Sequence, residues 1–345
     1  MRSILRRREF LVNTVGIAIV TALASMAAFA QAADPLPSWN NGPAKQAILH
    51  FVAQTTEKSS PDYVQPQERI ATFDQDGTLW VEQPLPTQAI YCLDRVPALV
   101  AAKPELKNVE PFKTVLSGDR AAIANLSVKD LEQILAATLT GMTTDQFQSE
   151  VTSWLASARD ARWHRPYTQL TYQPMQELLR YLRANGFTTY IVTGGGQDFV
   201  RIFSEQTYGI PPQQVVGSIG GVTFTHDANG KPVLIKDPKL MLNNNGPGKV
   251  EGIHMMIGRR PYAAFGNTPG DQQMLEYTRA GNGPRLAMLV LHDDAVREYA
   301  YGPARGLPTV KLGAFPQDYY DLAIKSGWVV ISMKNDWNRV FAFEK

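Results

Sequence analysis

The feature of this 345-residue sequence that most constrains its fold is a regular alternation of strand-like and helix-like patterns. The strand-like runs are short and apolar, and they lie at 70–73, 187–192, 262–265 and 286–291. Helical periodicity separates them, as in 175–182, where apolar residues recur at intervals of three and four. Alternating strands and helices favour a parallel, doubly wound α/β sheet.

Two segments depart from that alternation. The dipeptide Asn229-Gly230 lies between two β-branched runs and predicts a β-hairpin. The stretch 87–165 has helical patterns throughout, with capping-box starts at Ser127 and Thr143. It predicts a small helical bundle within the α/β chain.

Polar residues follow the ends of the predicted strands. They are Asp74 and Asp76, Thr193, Asn267 and Asp271, and Asp293 and Asp294. Because ligands of an open parallel sheet bind at the carboxyl ends of its strands, the sequence predicts that these residues share one edge.

Asp74 and Asp76 flank Gln75 and precede Gly77, a residue that permits a sharp turn. Both carboxylates can then face one pocket, where their mutual repulsion favours a bound cation. Mg²⁺ is the natural candidate because it prefers oxygen ligands. One aspartate can attack a phosphorus atom as a nucleophile, and the other can act as a general acid and base.

Two further segments supply groups for a phosphate. The hydroxyl of Thr193 and the backbone N–H groups of 194–196 can donate hydrogen bonds to phosphate oxygens. Lys249 can balance the negative charge of the site.

These residues together resemble the haloacid dehalogenase-like superfamily, in its phosphatase branch. Four of its motifs occur in order over roughly 69–291: FDQDGT, IVTGG, GPGKVEG and FGNTPGD. The resemblance implies a set of catalytic and phosphate-binding residues, with Asp74 as nucleophile, Asp76 as general acid/base, and Thr193, Gly194, Gly195 and Lys249 around the phosphate. It also implies Mg²⁺ held by Asp74, Asp76, Asn267 and Asp271.

The same resemblance implies a Rossmann-like core, residues 34–86 and 166–345, with an inserted helical cap at 87–165 in the style of the phosphoserine phosphatase group. Two positions depart from the family pattern. Asn267 stands where an aspartate usually binds Mg²⁺, and Glu82 lies one residue short of the spacing of the glutamate that recognises phosphoserine. Phosphoserine specificity is therefore not carried over.

Ordinary structural interpretations remain for some of these residues. Asp271 can cap the helix that follows Pro269, and Lys249 can be a solvated lysine at a helix start. For the cluster that follows the last of these strands, a surface position is the alternative to a site role; it comprises His292, Asp293 and Asp294. Four residues can line a pocket between cap and core or simply pack, and these are Trp80, Glu82, His164 and Arg165.

The first 33 residues have the layout of a bacterial secretory signal. Arginines at 2, 6, 7 and 8 precede a mostly apolar run over 11–30, and small residues at 28–32 fit a cleavage site. The stretch 7–11 also resembles the twin-arginine signal. We expect a cleaved leader, recognised by export machinery, and a periplasmic or secreted protein without stable membrane insertion. An uncleaved membrane anchor is the alternative.

Charge and cysteine content argue against several partners and sites. The leader holds four arginines and one glutamate, so its removal changes the formal net charge from +2 to −1. A nearly neutral protein gives no electrostatic case for binding nucleic acid or an anionic membrane. Cys92 is the only cysteine, which excludes an intramolecular disulfide and a cysteine-ligated zinc site, and its apolar neighbours predict a buried position.

The sequence thus predicts an exported, Mg²⁺-dependent phosphomonoester hydrolase that acts on a small phosphorylated substrate. One alternative is a phosphotransferase that passes the phosphoryl group to an alcohol. Another is a non-catalytic phospholigand-binding protein, which Asn267 alone supports. A dehalogenase is disfavoured because its chemistry does not need the acid Asp76.

Overall fold

A seven-stranded sheet organises residues 34–344, the part of the chain that the computed structural model describes. The predicted leader, including its twin-arginine motif, lies outside these residues. The strands are β1 (Ile70–Phe73), β2 (Thr188–Gly196), β3 (Val215–His226), β4 (Pro232–Leu242), β5 (Ala263–Gly266), β6 (Leu286–Leu291) and β7 (Val329–Ser332).

The strand order is β4-β3-β2-β1-β5-β6-β7, and all neighbours pair in parallel except β3 and β4. Those two form the predicted hairpin around Asn229-Gly230. The order reverses at β1, which lies between β2 and β5. The predicted doubly wound α/β sheet is therefore confirmed, and the carboxyl ends of β1 and β5 meet at the point where such sheets bind ligands.

Thirteen α-helices accompany the sheet within the described residues. They are α1 (Pro43–Thr56), α2 (Thr87–Ala102), α3 (Phe112–Leu116), α4 (Arg120–Ala124), α5 (Val128–Thr138), α6 (Thr144–Ser157), α7 (Gln173–Ala184), α8 (Gln197–Arg201), α9 (Ser204–Tyr208), α10 (Pro247–Gly252), α11 (Gln272–Arg279), α12 (Gln317–Lys325) and α13 (Met333–Asp336). Helices α2 to α6 follow β1, and the capping boxes at Ser127 and Thr143 are present. In the described part of the chain, no helix has both the length and the apolar character to cross a membrane.

The two faces of the sheet contribute to two hydrophobic clusters, because successive strand side chains point to opposite faces. In β5, Ala263 and Phe265 belong to one cluster and Ala264 to the other. Phe265 stacks on Phe73 of β1 with ring centroids 4.4 Å apart, and neither ring is exposed. Phe73 is the last residue of β1 and Phe265 the last but one of β5, so this buried pair anchors both strands at the carboxyl edge.

The helices between β1 and β2 share the first of these clusters. Cys92 of α2, Ile134 of α5 and Val151 of α6 are buried in the same cluster as Phe73. The buried position predicted for Cys92 is confirmed. The predicted limits of core and cap stay a prediction, and the helical segment packs directly on the sheet rather than around a cluster of its own.

Candidate active site

The ammonium group of Lys249 lies at the centre of the carboxyl edge of the sheet. Its Nζ is 2.5 Å from Asp74 Oδ1 and 2.6 Å from Asp271 Oδ1, and it donates to the Val192 carbonyl at 2.8 Å. Burial alone would lower the pKa of Lys249, but the two carboxylates outweigh this effect and raise the pKa. Lys249 is therefore a buried, charged site residue and not a solvated lysine.

Asp271 holds Lys249 and the loop after β5 at the same time. Its Oδ1 accepts from Lys249, and its Oδ2 accepts from the backbone N–H groups of Asn267 at 2.9 Å and Thr268 at 3.0 Å. The capping and site interpretations of Asp271 thus both hold. Its side chain has no exposed surface, whereas that of Asp74 keeps 11%. Asp74 is the carboxylate of this pair that a ligand can reach.

Trp80 holds Asp76. The indole Nε1–H donates to Asp76 Oδ1 at 2.8 Å, and the buried indole stacks on Phe203 at 4.7 Å. The turn between them needs Gly77, which has φ +72° and where a Cβ would lie 2.0 Å from Asn267 Nδ2. Ordinary packing was the simpler interpretation of Trp80 from sequence, and the structure adds this hydrogen bond.

Both catalytic candidates are carboxyls with raised pKa values. Burial, followed by the charge of Asp271, raises the pKa of Asp74 to about 7, although Lys249 opposes the shift. Burial raises the pKa of Asp76 to about 6, against the Trp80 hydrogen bond and Lys249. Three carboxyl groups share one ammonium here, so added positive charge would stabilise the ionised site.

The predicted phosphate-binding loop lies beside Asp76. A Cβ on Gly195 would be 3.3 Å from Thr193 Oγ1 and 3.7 Å from Asp76 Oδ2. The loop is held by Thr193 Oγ1, which accepts from the Gly195 N–H at 3.0 Å, and by Gln88 Oε1, which accepts from the Gly196 N–H at 2.7 Å. Sequence reasoning missed Gln88, because nothing in its local pattern on α2 indicates this contact.

The two departures from the family pattern are bonded to each other. Asn267 Nδ2 donates to Glu82 Oε1 at 2.7 Å, while Asn267 Oδ1 accepts from Thr78 Oγ1 at 3.2 Å. Glu82 Oε1 also accepts from Tyr301 at 2.8 Å. Burial raises the pKa of Glu82 to about 8, although the charge of His292 opposes the shift. An aspartate at position 267 would place a second carboxylate against Glu82.

Of the three residues that follow β6, only His292 contacts the loop after β1. Its Nε2 lies 2.8 Å from the Gly77 carbonyl oxygen, and its Nδ1 lies 3.0 Å from Glu298 Oε2. Burial would lower the pKa of His292, but the hydrogen bond and charge of Glu298 and the charge of Glu82 outweigh it and raise the pKa. Both ring nitrogens thus face oxygen acceptors, an arrangement that the imidazolium form satisfies by donating from each nitrogen.

Asp293 and Asp294 hold other parts of the chain. Asp293 accepts from the hydroxyl of Ser332, the last residue of β7, at 2.6 Å, and Asp294 accepts from the backbone N–H groups of Val296 and Arg297. Arg165 packs over the ring of Phe343 at 4.2 Å. These contacts are structural and give none of the three residues a part in the site.

His164 also makes a local contact. Its backbone N–H donates to the Asp160 carbonyl at 2.9 Å. The simpler interpretation, a position in the local fold, accounts for this contact.

The donor atoms at the site suit a hard cation. The carboxylates of Asp74 and Asp76 and the amide oxygen of Asn267 are the oxygen ligands that Mg²⁺ prefers. Across residues 34–344, no group of three or more His, Cys, Asp or Glu side chains is arranged to hold a metal ion. Mg²⁺ would therefore depend on water and backbone oxygens as well, which it commonly retains. Asp271 was predicted as a ligand, and both of its oxygens already have protein partners.

The imidazolium of His292 generates a prediction about stability. Its folded pKa is raised above the unfolded value of about 6.5. Its contribution is therefore complete below about pH 6.5 and is lost as the pH rises through the folded pKa. We expect His292→Asn to lower the free energy of unfolding by about 3 kcal/mol near pH 6, since Glu298 loses its partner, and by less near pH 9.

Urea denaturation at the two pH values measures this difference. The control is His50→Asn, at an exposed histidine on α1, which should change the free energy of unfolding by less than about 0.5 kcal/mol. An equal loss for His292→Asn at both pH values would contradict a charged His292.

Comparison with protein-family models gives one match, described as haloacid dehalogenase-like hydrolase, over residues 71–276. These residues are well over half of the chain and include every site residue described above except His292, Glu298 and Tyr301. No curated protein matches the chain.

Solved structures show a distant likeness. A conserved, functionally unknown protein from Anaerococcus prevotii DSM 20548 is 15% identical with a TM-score of 0.49, over 79% of this chain and 95% of its own. A protein of unknown function from Bordetella pertussis Tohama I is 14% identical with a TM-score of 0.47, over 76% and 98%. A phosphoserine phosphohydrolase-like protein from Francisella tularensis subsp. tularensis SCHU S4 is 18% identical with a TM-score of 0.36, over 65% and 88%.

Proposed function

This chain belongs to the haloacid dehalogenase-like hydrolase family, and from that premise we propose that it hydrolyses phosphomonoesters through a covalent aspartyl-phosphate on Asp74. The observation that carries the proposal is how the two aspartates are held and how far they are exposed. Asp74 is bonded to a buried ammonium yet keeps some exposed surface, and Asp76 is held by Trp80 in the same pocket.

The first step forms the aspartyl-phosphate. A carboxylate oxygen of Asp74 attacks phosphorus, and the bond between phosphorus and the ester oxygen breaks. Asp76 gives its proton to that departing oxygen, which leaves as an alcohol. Burial raises the pKa of Asp76 to about 6, so a larger fraction of it is protonated near neutral pH than of an ordinary aspartate.

The second step returns the enzyme to its starting state. Asp76, now ionised, takes a proton from water, and the water oxygen attacks phosphorus. The bond between phosphorus and Asp74 breaks, which releases inorganic phosphate and restores the carboxylate. Lys249 stabilises negative charge at Asp74 throughout, and the Thr193 hydroxyl and the backbone of Gly194 and Gly195 are proposed to contact the phosphoryl oxygens, which the closeness of Gly195 to Asp76 supports.

Mg²⁺ is proposed as the cofactor, with Asp74, Asp76 and Asn267 as the side chains that would hold it. When bound, it would neutralise charge on the phosphoryl group and between the carboxylates. The excess of carboxyl groups over ammonium groups at the site supports this proposal.

Asp74→Asn tests the nucleophile. Release of phosphate from a generic aryl phosphate in the presence of Mg²⁺ should fall by at least about a thousandfold, because an amide cannot form the covalent intermediate. The variant should still fold, since Asp271 continues to hold Lys249.

Asp293→Asn is the matched control, because it makes the same change at a strand-end aspartate outside the site. It should retain turnover. Turnover in Asp74→Asn close to that of the unchanged protein would contradict the mechanism. Tight binding of phosphate by the unchanged protein, with no turnover at saturating Mg²⁺, would indicate a binding protein instead.

Trp80→Phe tests how Asp76 is held. The substitution keeps a ring on Phe203 and removes the only indole donor to Asp76 Oδ1 among the described residues. Because that bond lowers the pKa of Asp76, its loss should shift the pH profile of kcat to higher pH and reduce kcat by about tenfold.

Trp337→Phe is the control for this change. Trp337 is as deeply buried as Trp80, but its indole N–H has no hydrogen-bond partner. Its substitution should leave kcat and its pH profile in place. If both variants behave alike, Trp80 contributes packing alone.

The hydrogen bond between Asn267 and Glu82 is tested by Asn267→Asp, made alone and together with Glu82→Gln. The single change places two carboxylates in contact, so that one must keep a proton. Glu82→Gln supplies an amide donor instead. We expect the double variant to need about tenfold less Mg²⁺ for half-maximal activity than Asn267→Asp alone. Equal Mg²⁺ requirements would show that the two positions act independently.

We also propose export with cleavage of the leader, which the sequence of residues 1–33 supports. Expression of the full chain in a bacterium with a twin-arginine system, followed by N-terminal sequencing, tests it. A mature terminus near residue 31 or 33 in the periplasm is expected, and replacing Arg7 and Arg8 by lysine should leave the precursor inside the cell. An intact leader in the membrane fraction would favour the anchor.

A further inference from the structure

A cavity of about 510 Å³ opens beside the loop over Gly194–Gly196. Its lining comes from α5, α6 and α8, from this loop, from the β3–β4 hairpin and from Gln88 of α2. We propose that the cavity holds the leaving group of the substrate, and that this group is a medium-sized, largely apolar and uncharged alcohol. The inference rests on the proposed phosphatase function and adds the substrate class to it.

The position of the cavity, beside the glycine loop, suits it to bind the leaving group. Gly194 and Gly195 line it, and a Cβ on Gly195 would be within 3.7 Å of Asp76 Oδ2. Asp76 must protonate the departing oxygen, so the alcohol carried by that oxygen extends from the side of Asp76. Through these two glycines the cavity adjoins the loop that lies beside Asp76.

Apolar side chains make up much of the remaining lining. They come from α5 and the residue that follows it, from α6 and from the hairpin, among them Leu135, Ala136, Leu139, Phe147 and Leu240. An apolar leaving group that covers these side chains removes its own surface and theirs from water, which favours binding. A volume of this size lies within the range of about 300–1,000 Å³ for small-molecule sites. A group as small as a serine side chain would leave most of it to water.

The charged residues of the cavity do not favour an anionic leaving group. Three acidic residues, Glu132, Asp198 and Asp237, line it together with two basic ones, Lys236 and Lys239. The buried ammonium of Lys236 is already paired with Asp198 and lies 4.7 Å from the centre of the Phe147 ring. A second phosphate or a carboxylate would have to compete with Asp198 for it and would meet net negative charge around it.

A series of alkyl phosphates tests the inference with the mature protein and Mg²⁺. We expect kcat/KM to rise from methyl through butyl to hexyl phosphate by roughly threefold to fourfold per methylene, the factor for burying one methylene group. Hexyl phosphate should also exceed, by about tenfold or more, the same chain ending in a carboxylate, because that charge would be buried without a free partner.

Variants of the cavity lining test whether the gain in kcat/KM per methylene arises in the cavity. Leu135→Asn and Leu240→Asn should each reduce the gain per methylene, because they replace apolar wall by amide. Leu234→Asn is the matched control: this leucine lies on the same hairpin, is 40% exposed and does not line the cavity. It should keep the gain of the unchanged protein.

The outcomes separate this inference from the function on which it rests. A flat or falling series, a preference for the carboxylated chain, or equal effects of Leu240→Asn and Leu234→Asn would overturn the apolar leaving group while methyl or aryl phosphate is still hydrolysed. No hydrolysis of any member of the series, nor of an aryl phosphate, would instead overturn the proposed phosphatase function.

Discussion

One buried ammonium group connects the parts of the chain that form the site. Lys249 donates to Asp74 after β1, to the backbone carbonyl of Val192 in β2, and to Asp271 after β5. These contacts join segments that lie up to 175 positions apart in sequence. A buried charge is costly unless it is paired. The three segments must therefore keep their relative positions for the Lys249 ammonium to retain its hydrogen bonds and ion pairs. The same ion pairs that hold the edge of the sheet together also fix the position of Asp74, the proposed nucleophile.

A second layer of polar groups supports that centre from behind. His292 bonds to the carbonyl of Gly77, which lies between Asp76 and Trp80 in the sequence, and Glu82 bonds to Asn267. The amide at 267 fits this environment, since Glu82 needs a donor where the family pattern has a carboxylate. The unusual asparagine is therefore part of a coherent arrangement with Glu82, not by itself evidence of a degenerate site. The polar groups of the loop after β1 and those packed behind it are largely buried, so they need hydrogen-bond partners from one another.

The fold and the site residues that follow the strand ends could be predicted, because both follow from local sequence patterns. Parallel strands bring their carboxyl ends together, so Asp74, Thr193 and Asn267 had to meet once the strands were recognised. The contacts of Trp80 with Asp76, Gln88 with Gly196, and Asn267 with Glu82 could not be predicted, because each depends on how side chains pack across the tertiary structure. At the end of β6, three polar residues follow one another, and the pattern alone does not show that His292 points inward while its two neighbours hold other loops. The cavity is likewise formed by several segments that are distant in sequence, so its apolar lining could not be predicted from any one of them.

The covalent intermediate on Asp74 is the central claim of this account. Its most direct test is to mix the mature protein with an aryl phosphate and Mg²⁺, quench with acid during turnover, and analyse the peptides by mass spectrometry. The account predicts a phosphoryl group on the peptide that contains Asp74 and on that residue, and its absence in Asp74→Asn. Steady turnover with no phosphorylated peptide under conditions that preserve an aspartyl-phosphate, or a phosphoryl group on another residue, would contradict it.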